Sequence, residues 1–248
     1  MFAQTSYGRS ARVYGPVAAQ SEWHNVTGNW VPVLNVETNF NSYGGGPLTA
    51  KNGTDPRMND LVGAAWLGSL LVDSSEQNVS ALAYFALTSS ANLTNTVTNA
   101  YGGFGFGMTN VTTGGAIRDF APYFVMKLWD TYIPHGAEGL SYTSSDTASV
   151  EVYAVMVGGT IHVAIVDRVG LPIRIHVTVP GFSPAQHATV IDPTSYVEQY
   201  NALTSTTSIV RAGWTSVGLS NGAFGMAGYG FAILTFTPLV GGGPPPGP

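Results

Sequence analysis

The sequence contains no cysteine. Disulfides and thiolate metal sites are therefore excluded, and redox chemistry gives no clue to the compartment. Charge is also scarce. Asp, Glu, Lys and Arg make up 9% of the 248 residues, against roughly 25% in an ordinary soluble protein. Nine Lys and Arg stand against fourteen Asp and Glu, for a net charge of −5. With no basic patch to offer a phosphate backbone, no nucleic-acid partner is expected. No apolar run reaches the ~18–20 residues of a membrane span, and residues 1–19 lack the apolar stretch of a signal peptide.

Several chemical signatures are missing too. The five histidines, His24, His135, His162, His176 and His187, are scattered, and no metal-ligand spacing such as H-E-x-x-H occurs. His162 and His176 are expected to be cross-strand neighbours at most. Gly102 to Gly107 lacks both the G-x-G-x-x-G frame and a lysine, so nucleotide binding is not expected. No G-x-S-x-G elbow supports a serine nucleophile. No metal and no cofactor are expected.

What remains is a chain that is 44% hydrophobic, enough for a substantial core. Its polarity comes from Ser, Thr, Asn and Gly. Sequons at Asn25, Asn52, Asn78, Asn92 and Asn110 would carry glycans only on an exported chain. An exported character without a leader leads us to expect that the chain is cut at its N-terminus. The tail Gly241–Pro248, GGGPPPGP, reads as a linker.

The first half reads as alternating helices and strands. Tyr14 to His24 predicts a short helix. Asn29 to Val36, NWVPVLNV, predicts a buried strand that ends at Glu37, before the Gly-rich loop Asn41 to Pro47. Asp55 and Pro56 suit the start of a helix in which Leu61, Ala65, Gly68 and Val72 share one face. The small residues on that face permit close packing against a sheet. Val79 to Leu87 predicts the next strand, followed by a long loop to Gly115. Asp119 is placed to cap a helix over Phe120 to Tyr132, which stops before Pro134. Such an order is an α/β pattern with parallel strands. Both strands are continuous apolar runs, as expected when both faces are covered.

After Gly136 the period changes to two. Val150 to Val157, Thr160 to Asp167, Ile173 to Val179, Thr189 to Ile191 and Phe231 to Phe236 are strand-like, and Gly158-Gly159 is a hairpin signal. This half predicts an antiparallel β-sandwich.

Among the fourteen acidic residues, Glu37 stands apart. It lies where an apolar strand gives way to a glycine-rich loop. In a parallel barrel that is the C-terminal rim, where active sites are built. The plain alternative is a loop residue paired with Arg57 or Lys51. Aromatic rings that could stack on a sugar, Tyr43, Tyr84 and Tyr101, lie in or beside the loops after the two strands, whereas Trp66 and Trp129 fall in helices and read as packing.

Val33 to Ser42, VLNVETNFNS, resembles the seventh-strand motif of the retaining (β/α)8 glycoside hydrolases of the clan A type. Families thirty-nine, forty-four, fifty-one and seventy-nine are the nearest in feel. The later segments follow in order: Asn59 to Val72 looks like the next helix, Val79 to Leu87 like the eighth strand, Arg118 to Tyr132 like the closing helix. Ser144 to Asp146 and VEVYA at Val150 to Ala154 look like the entry to the C-terminal sandwich of these families.

The resemblance covers roughly residues 10 to 239. It implies three parts: residues 1–136 as the C-terminal portion of the catalytic barrel, residues 137–239 as the sandwich, and residues 240–248 as a Gly/Pro linker. It implies a retaining hydrolase of β-linked poly- or oligosaccharide, secreted or at the cell surface. Glu37 would be the nucleophile, and Asn39, Tyr43, Tyr84 and Tyr101 would contact substrate.

The family's acid/base sits in an Asn-Glu pair after the fourth strand, and the chain has no such pair before Glu37. Glu22, in Ser21-Glu22-Trp23, is the sole earlier glutamate and does not match. The resemblance thus implies a missing N-terminal barrel portion of the same protein as partner. The sandwich would brace the barrel and lack a strand that comes from before it. The rival reading is a non-catalytic secreted carbohydrate-binding or surface structural protein.

Overall fold

The computed structural model describes residues 18–29 except 19, 32–38, 60–84 except 78, 88–89, 108–111, 115–201, 206–211 and 213–239. Three helices appear: α1 (residues 20–27), α2 (Leu61–Glu76) and α3 (Ala121–Tyr132). The strands of the first half are β1 (Leu34–Thr38), β2 (Ala81–Tyr84), β3 (Thr88–Ser89), β4 (Thr109–Val111) and β5 (Ile117–Asp119). Those of the second half are β6 (Glu138–Leu140), β7 (Val150–Val157), β8 (Thr160–Asp167), β9 (Ile173–His176), β10 (His187–Ile191), β11 (Val197–Asn201), β12 (Thr206–Arg211), β13 (Thr215–Gly218), β14 (Ala223–Met226) and β15 (Gly230–Phe236).

Most of the described strands lie in antiparallel sheet. Six strands form the main sheet in the order β13-β10-β15-β8-β7-β6. Its hairpin β7–β8 is set by chemistry at the turn. Gly158 and Gly159 both have positive φ, 57° and 81°, as a two-residue turn of the primed type requires. Val157 then pairs with Thr160, and the register runs unbroken to Val150 and Asp167.

Alternation along β15 divides the core. Phe231 and Ile233 join Val166 and Ala164 of β8 in a cluster with α2 and α3. Ala232, Leu234 and Phe236 face the other way, onto β9 and β14 through Ile173, Ile175, Phe224 and Met226. A six-stranded sheet thus carries helices on one face and the two-stranded pair β14–β9 on the other.

The helix α2 forms because Asp60 caps it. Its Oδ1 accepts from Val62 N at 2.7 Å and Gly63 N at 3.2 Å, satisfying two of the four open donors of a helix start. The run Gly63–Ser74 is buried throughout. Gly68 is where α2 meets the sheet: a Cβ there would stand 3.0 Å from Phe231 Cδ2 and 3.1 Å from Val166 Cγ2. The small-residue face read from the sequence therefore serves close packing. The helix α3 turns Phe124, Val125 and Leu128 inward and ends at Ile133, since the residue before Pro134 is pushed out of the helical region.

Several sequence expectations are corrected. The cap of α2 is Asp60, as its carboxylate lies nearer the observed start; Asp55 lies outside the described residues. Asp119 does not cap α3, because it is held in β5, and Phe120 occupies the N-cap position without a side-chain bond. The loop to Gly115 contains strand, since Thr109–Val111 folds back on Ile117–Asp119. The ladder of β9 stops at His176, short of Val179. His162 and His176 sit in different sheets; His162 Nδ1 meets Thr235 Oγ1 at 3.1 Å, while His176 pairs with Ala223.

Gly230 supplies a direct test of the central strand. A Cβ at this position would lie 2.2 Å from the backbone oxygen of Ile191, and backbone cannot yield as a flexible side chain can. We expect Gly230→Ala to lower stability by at least about 2 kcal/mol, read as a drop in urea midpoint at constant m-value.

Candidate active site

The site expected from the sequence is the end of β1. This strand pairs in parallel with β2, and α2 is the crossover between them, as parallel neighbours require. Val33, just before β1, is buried, and its backbone oxygen accepts from Ser80 N at 2.8 Å, anchoring the start of the pair. The two C-terminal ends, Thr38 and Tyr84, lie side by side.

The register between them is irregular. Leu34 pairs with Ala81 and Asn35 with Leu82, but the next partners are Thr38 and Tyr84. Three steps in β1 are matched by two in β2, so the extra residue falls at Val36–Glu37. Bulges of this kind re-aim a side chain and are enriched beside active sites. The backbone of Glu37 thus stands one residue from the end of β1, at that irregularity. Asn39, Tyr43 and Tyr101 lie outside the described residues, as do Lys51 and Arg57.

The parallel pair is covered on one side. Leu82 and Tyr84 pack onto the cluster built by α2 and α3. Leu34, Ala81 and Ala83 are exposed, Leu34 by 55%. Tyr84 belongs to the covered side. Its hydroxyl is enclosed with no hydrogen-bond partner, and burial raises its pKa above the ordinary phenol range.

Many of the described carboxyl groups are committed to structure. Asp60 caps α2. Asp146 accepts from Ala148 N at 3.0 Å and Ser149 N at 2.9 Å, and the Ser149 bonds hold its pKa low. Glu151 pairs with Arg168, which also donates to the backbone oxygens of Thr147 and Ala148. Glu76 accepts from the Tyr142 hydroxyl at 2.6 Å; burial first, and that bond next, raise the Tyr142 pKa.

Two carboxyls went unnoticed in the sequence. Asp167 closes β8, and Asp192 follows β10; both are buried. The signal was present at Asp192, where Asp-Pro-Thr-Ser has turn-forming composition. Asp192 Oδ1 accepts from Thr194 N and Thr194 Oγ1, at 2.8 and 2.6 Å, and its Oδ2 from Ala227 N at 2.9 Å. Asp167 gave no such signal, since AIVD reads as strand to its last residue.

A groove of about 1020 Å³ opens elsewhere, on the sheet face away from the helices. Val150, Val152, Val163 and Ile165 line one wall, and Ile173 and Ile175 the other. Asp146 is its one carboxylate, so it lacks the paired acids of glycoside chemistry. Among the described residues no group of three or more His, Asp or Glu could hold a metal ion.

No protein-family model matches the sequence, and no curated protein matches it. Solved structures do match. The catalytic domain of a glycoside hydrolase family 30 xylanase C from Talaromyces cellulolyticus aligns at 15% identity with TM-score 0.52, covering 84% of this chain and 41% of that one. A family 30 subfamily 8 xylanase from Clostridium acetobutylicum gives 14% and 0.52, with 83% and 42% covered. A conserved exported protein from Bacteroides fragilis gives 10% and 0.58, with 93% and 44% covered. The chain spans less than half the length of these structures. It has a glycoside hydrolase-like fold. The four families named from the motif are a finer assignment than this likeness carries.

The enclosed hydroxyl of Tyr84 yields a prediction. A buried hydroxyl without a partner costs about 1–3 kcal/mol. Tyr84→Phe is therefore expected to leave stability unchanged or raise it by up to about 1 kcal/mol, measured by urea unfolding.

Proposed function

We propose that this chain is the C-terminal part of a retaining glycoside hydrolase that cleaves β-linked poly- or oligosaccharide through a covalent glycosyl-enzyme on Glu37. The observation that carries this reading is the position of Glu37: the penultimate residue of a parallel strand, at a register irregularity, beside the end of its neighbour. Active-site carboxylates of parallel barrels are held at such strand ends. The glycoside hydrolase-like fold agrees with it.

The chemistry follows. The Glu37 carboxylate attacks the anomeric carbon as the bond to the leaving oxygen breaks, giving a glycosyl ester. A second carboxyl group, about 5–5.5 Å away, protonates the leaving oxygen and then takes a proton from the water that hydrolyses the ester. The nucleophile must be ionised, so donors are required around it; Thr38, Asn39 and Tyr43 are the proposed sources. Tyr43 and Tyr101 are the proposed stacking platforms, while the enclosed Tyr84 supports the strand end from behind.

The acid/base is proposed to lie in an N-terminal barrel portion of the same protein. Two observations support this. The face bearing Leu34, Ala81 and Ala83 is exposed, whereas parallel sheets are covered on both faces. Matched structures are about twice as long as this chain. Residues 1–136 would then be barrel, 137–239 a bracing sandwich and 240–248 a linker. Export to the secreted or cell-surface compartment is part of the proposal; Asn25, the first sequon, is exposed.

The test begins with the reading frame upstream of Met1. We expect further strand–helix units with an Asn-Glu at the end of the fourth strand. The 248-residue chain alone should not turn over aryl β-glycosides or β-glucans. The longer protein should, with retention at the anomeric carbon, and Glu37→Gln should lower kcat by about 10³-fold or more. Full activity of that variant would refute the assignment. A stop codon directly upstream would favour a non-catalytic carbohydrate-binding protein.

A further inference from the structure

The main sheet holds two buried carboxyl groups on the same face, one on each side of a glycine. Asp167 pairs with Gly230 in the β8–β15 register. In the β10–β15 register Ile191 pairs with Phe231, which sets Asp192 beside Gly230 from the other side. Residues in register share a face. Asp167 follows Val166, and Asp192 follows Ile191. Val166, Ile191 and Phe231 all belong to the helix-side cluster, so both carboxyls point to the opposite face. Gly230 between them has no side chain, and a Cβ there would stand 3.2 Å from the Cβ of Asp192. The two acids thus flank the glycine, which has no side chain to stand between them, and the methyl end of Met226 closes the same spot at 3.0 Å from that Cβ position.

Their bonding is unequal. Asp192 receives three hydrogen bonds from Thr194 and Ala227, the environment of an ionised carboxylate. Asp167 receives one, from Val169 N at 2.9 Å on Oδ1, and its Oδ2 has no partner. Asp167 is 0% exposed and Asp192 2%. Among the described residues, no hydrogen bond or ion pair from a cation to either acid is found. Arg168 lies on the other face with Glu151, which pairs across the sheet with Val166. The neighbour of Asp167 on β7 is Val150, β14 contributes Met226 and the residue after it the Ala227 N–H, and Tyr229 packs with the helix-side cluster.

We propose that Asp167 and Asp192 form a one-proton pair, with the proton on Asp167 and the charge on Asp192, whose loss on raising the pH loosens the junction of β8, β10 and β15. Two ionised carboxylates cannot share a buried site without repulsion. The inference is independent of the catalytic reading. Burial first raises the Asp167 pKa, the Val169 bond opposes this, and the Asp192 charge raises it further, to about 6. An acid whose folded pKa is raised binds its proton more tightly in the folded state. Its contribution is therefore complete in acid and is lost as pH climbs from about 4 to about 6.

The experiment compares the protein with Asp167→Asn in urea unfolding from about pH 4 to about pH 8. Relative to the variant, the unfolding constant of the protein should rise on the order of ten- to a hundredfold between pH 4 and pH 7. An infrared titration of the unmodified protein gives a second readout. A protonated-carboxyl band should persist above the range of ordinary aspartates, and Asp192→Asn should shift its loss to lower pH. A pH-independent ratio, or no band titrating above the ordinary aspartate range, would overturn the proposal. If Asp167→Asn does not fold, the infrared titration and the Asp192→Asn shift decide alone.

Discussion

Burial of β15 on both faces is the constraint on which the structure depends. The strand lies between β8 and β10, and its residues alternate between two apolar clusters. Phe231 and Ile233 hold the helices, while Leu234 and Phe236 hold the second layer. Full burial of such side chains stabilises by about 1.5–3 kcal/mol each, so one strand organises the core on both sides. Among the described residues, the parallel pair β1–β2 joins the core where Leu82 and Tyr84 pack against the cluster that α2 and α3 share with the sheet. The backbone of the candidate nucleophile is held at second hand, through the pairing of β1 with β2.

Scarcity of charge shapes how polar groups are satisfied. Asp146 and Asp192 receive backbone N–H groups within their own turns, and Asp60 does so at a helix start. Arg168 divides its donors between Glu151 and two backbone oxygens, a buried-type use of guanidinium rather than a surface ion pair. The chain thus uses carboxylates as local acceptors. Asp167 is the departure, because a carboxyl with one bond and no cation keeps its proton more readily than it keeps its charge.

The sequence showed the longest elements well. Strands β7, β8 and β15 appear as runs within a residue of their observed limits, since β-branched and aromatic residues leave few alternatives there. The Gly158-Gly159 turn was legible because the primed turn needs positive φ at both positions. Helix boundaries were less legible. Asp55 and Asp60 both have the chemistry of a cap, and which one caps depends on where packing against Phe231 and Val166 allows the helix to start. Strands β4, β5, β13 and β14 are three or four residues long, too short to show a period, and it is pairing with their neighbours that makes them strands. Of the candidate site, an acid near the end of an apolar strand could be read, but the strand runs over Leu34–Thr38 with Leu34 exposed rather than over a buried Asn29–Val36, and the direction of Tyr84 could not be read. A tyrosine beside a loop looks the same in sequence whether it faces a cleft or a core.

The sequence by itself determined composition-level facts: no thiol chemistry, no basic surface, a change of period near Gly136, and an acid placed where an apolar strand ends. These follow from residue types and from local spacing. The tertiary structure alone decided that β1 and β2 are parallel neighbours, that their register slips at Val36–Glu37, and that Asp167 and Asp192 flank Gly230. Each of these relates residues far apart in the chain. Such relations arise when faces pair and hydrogen-bond ladders align, and no local pattern encodes them.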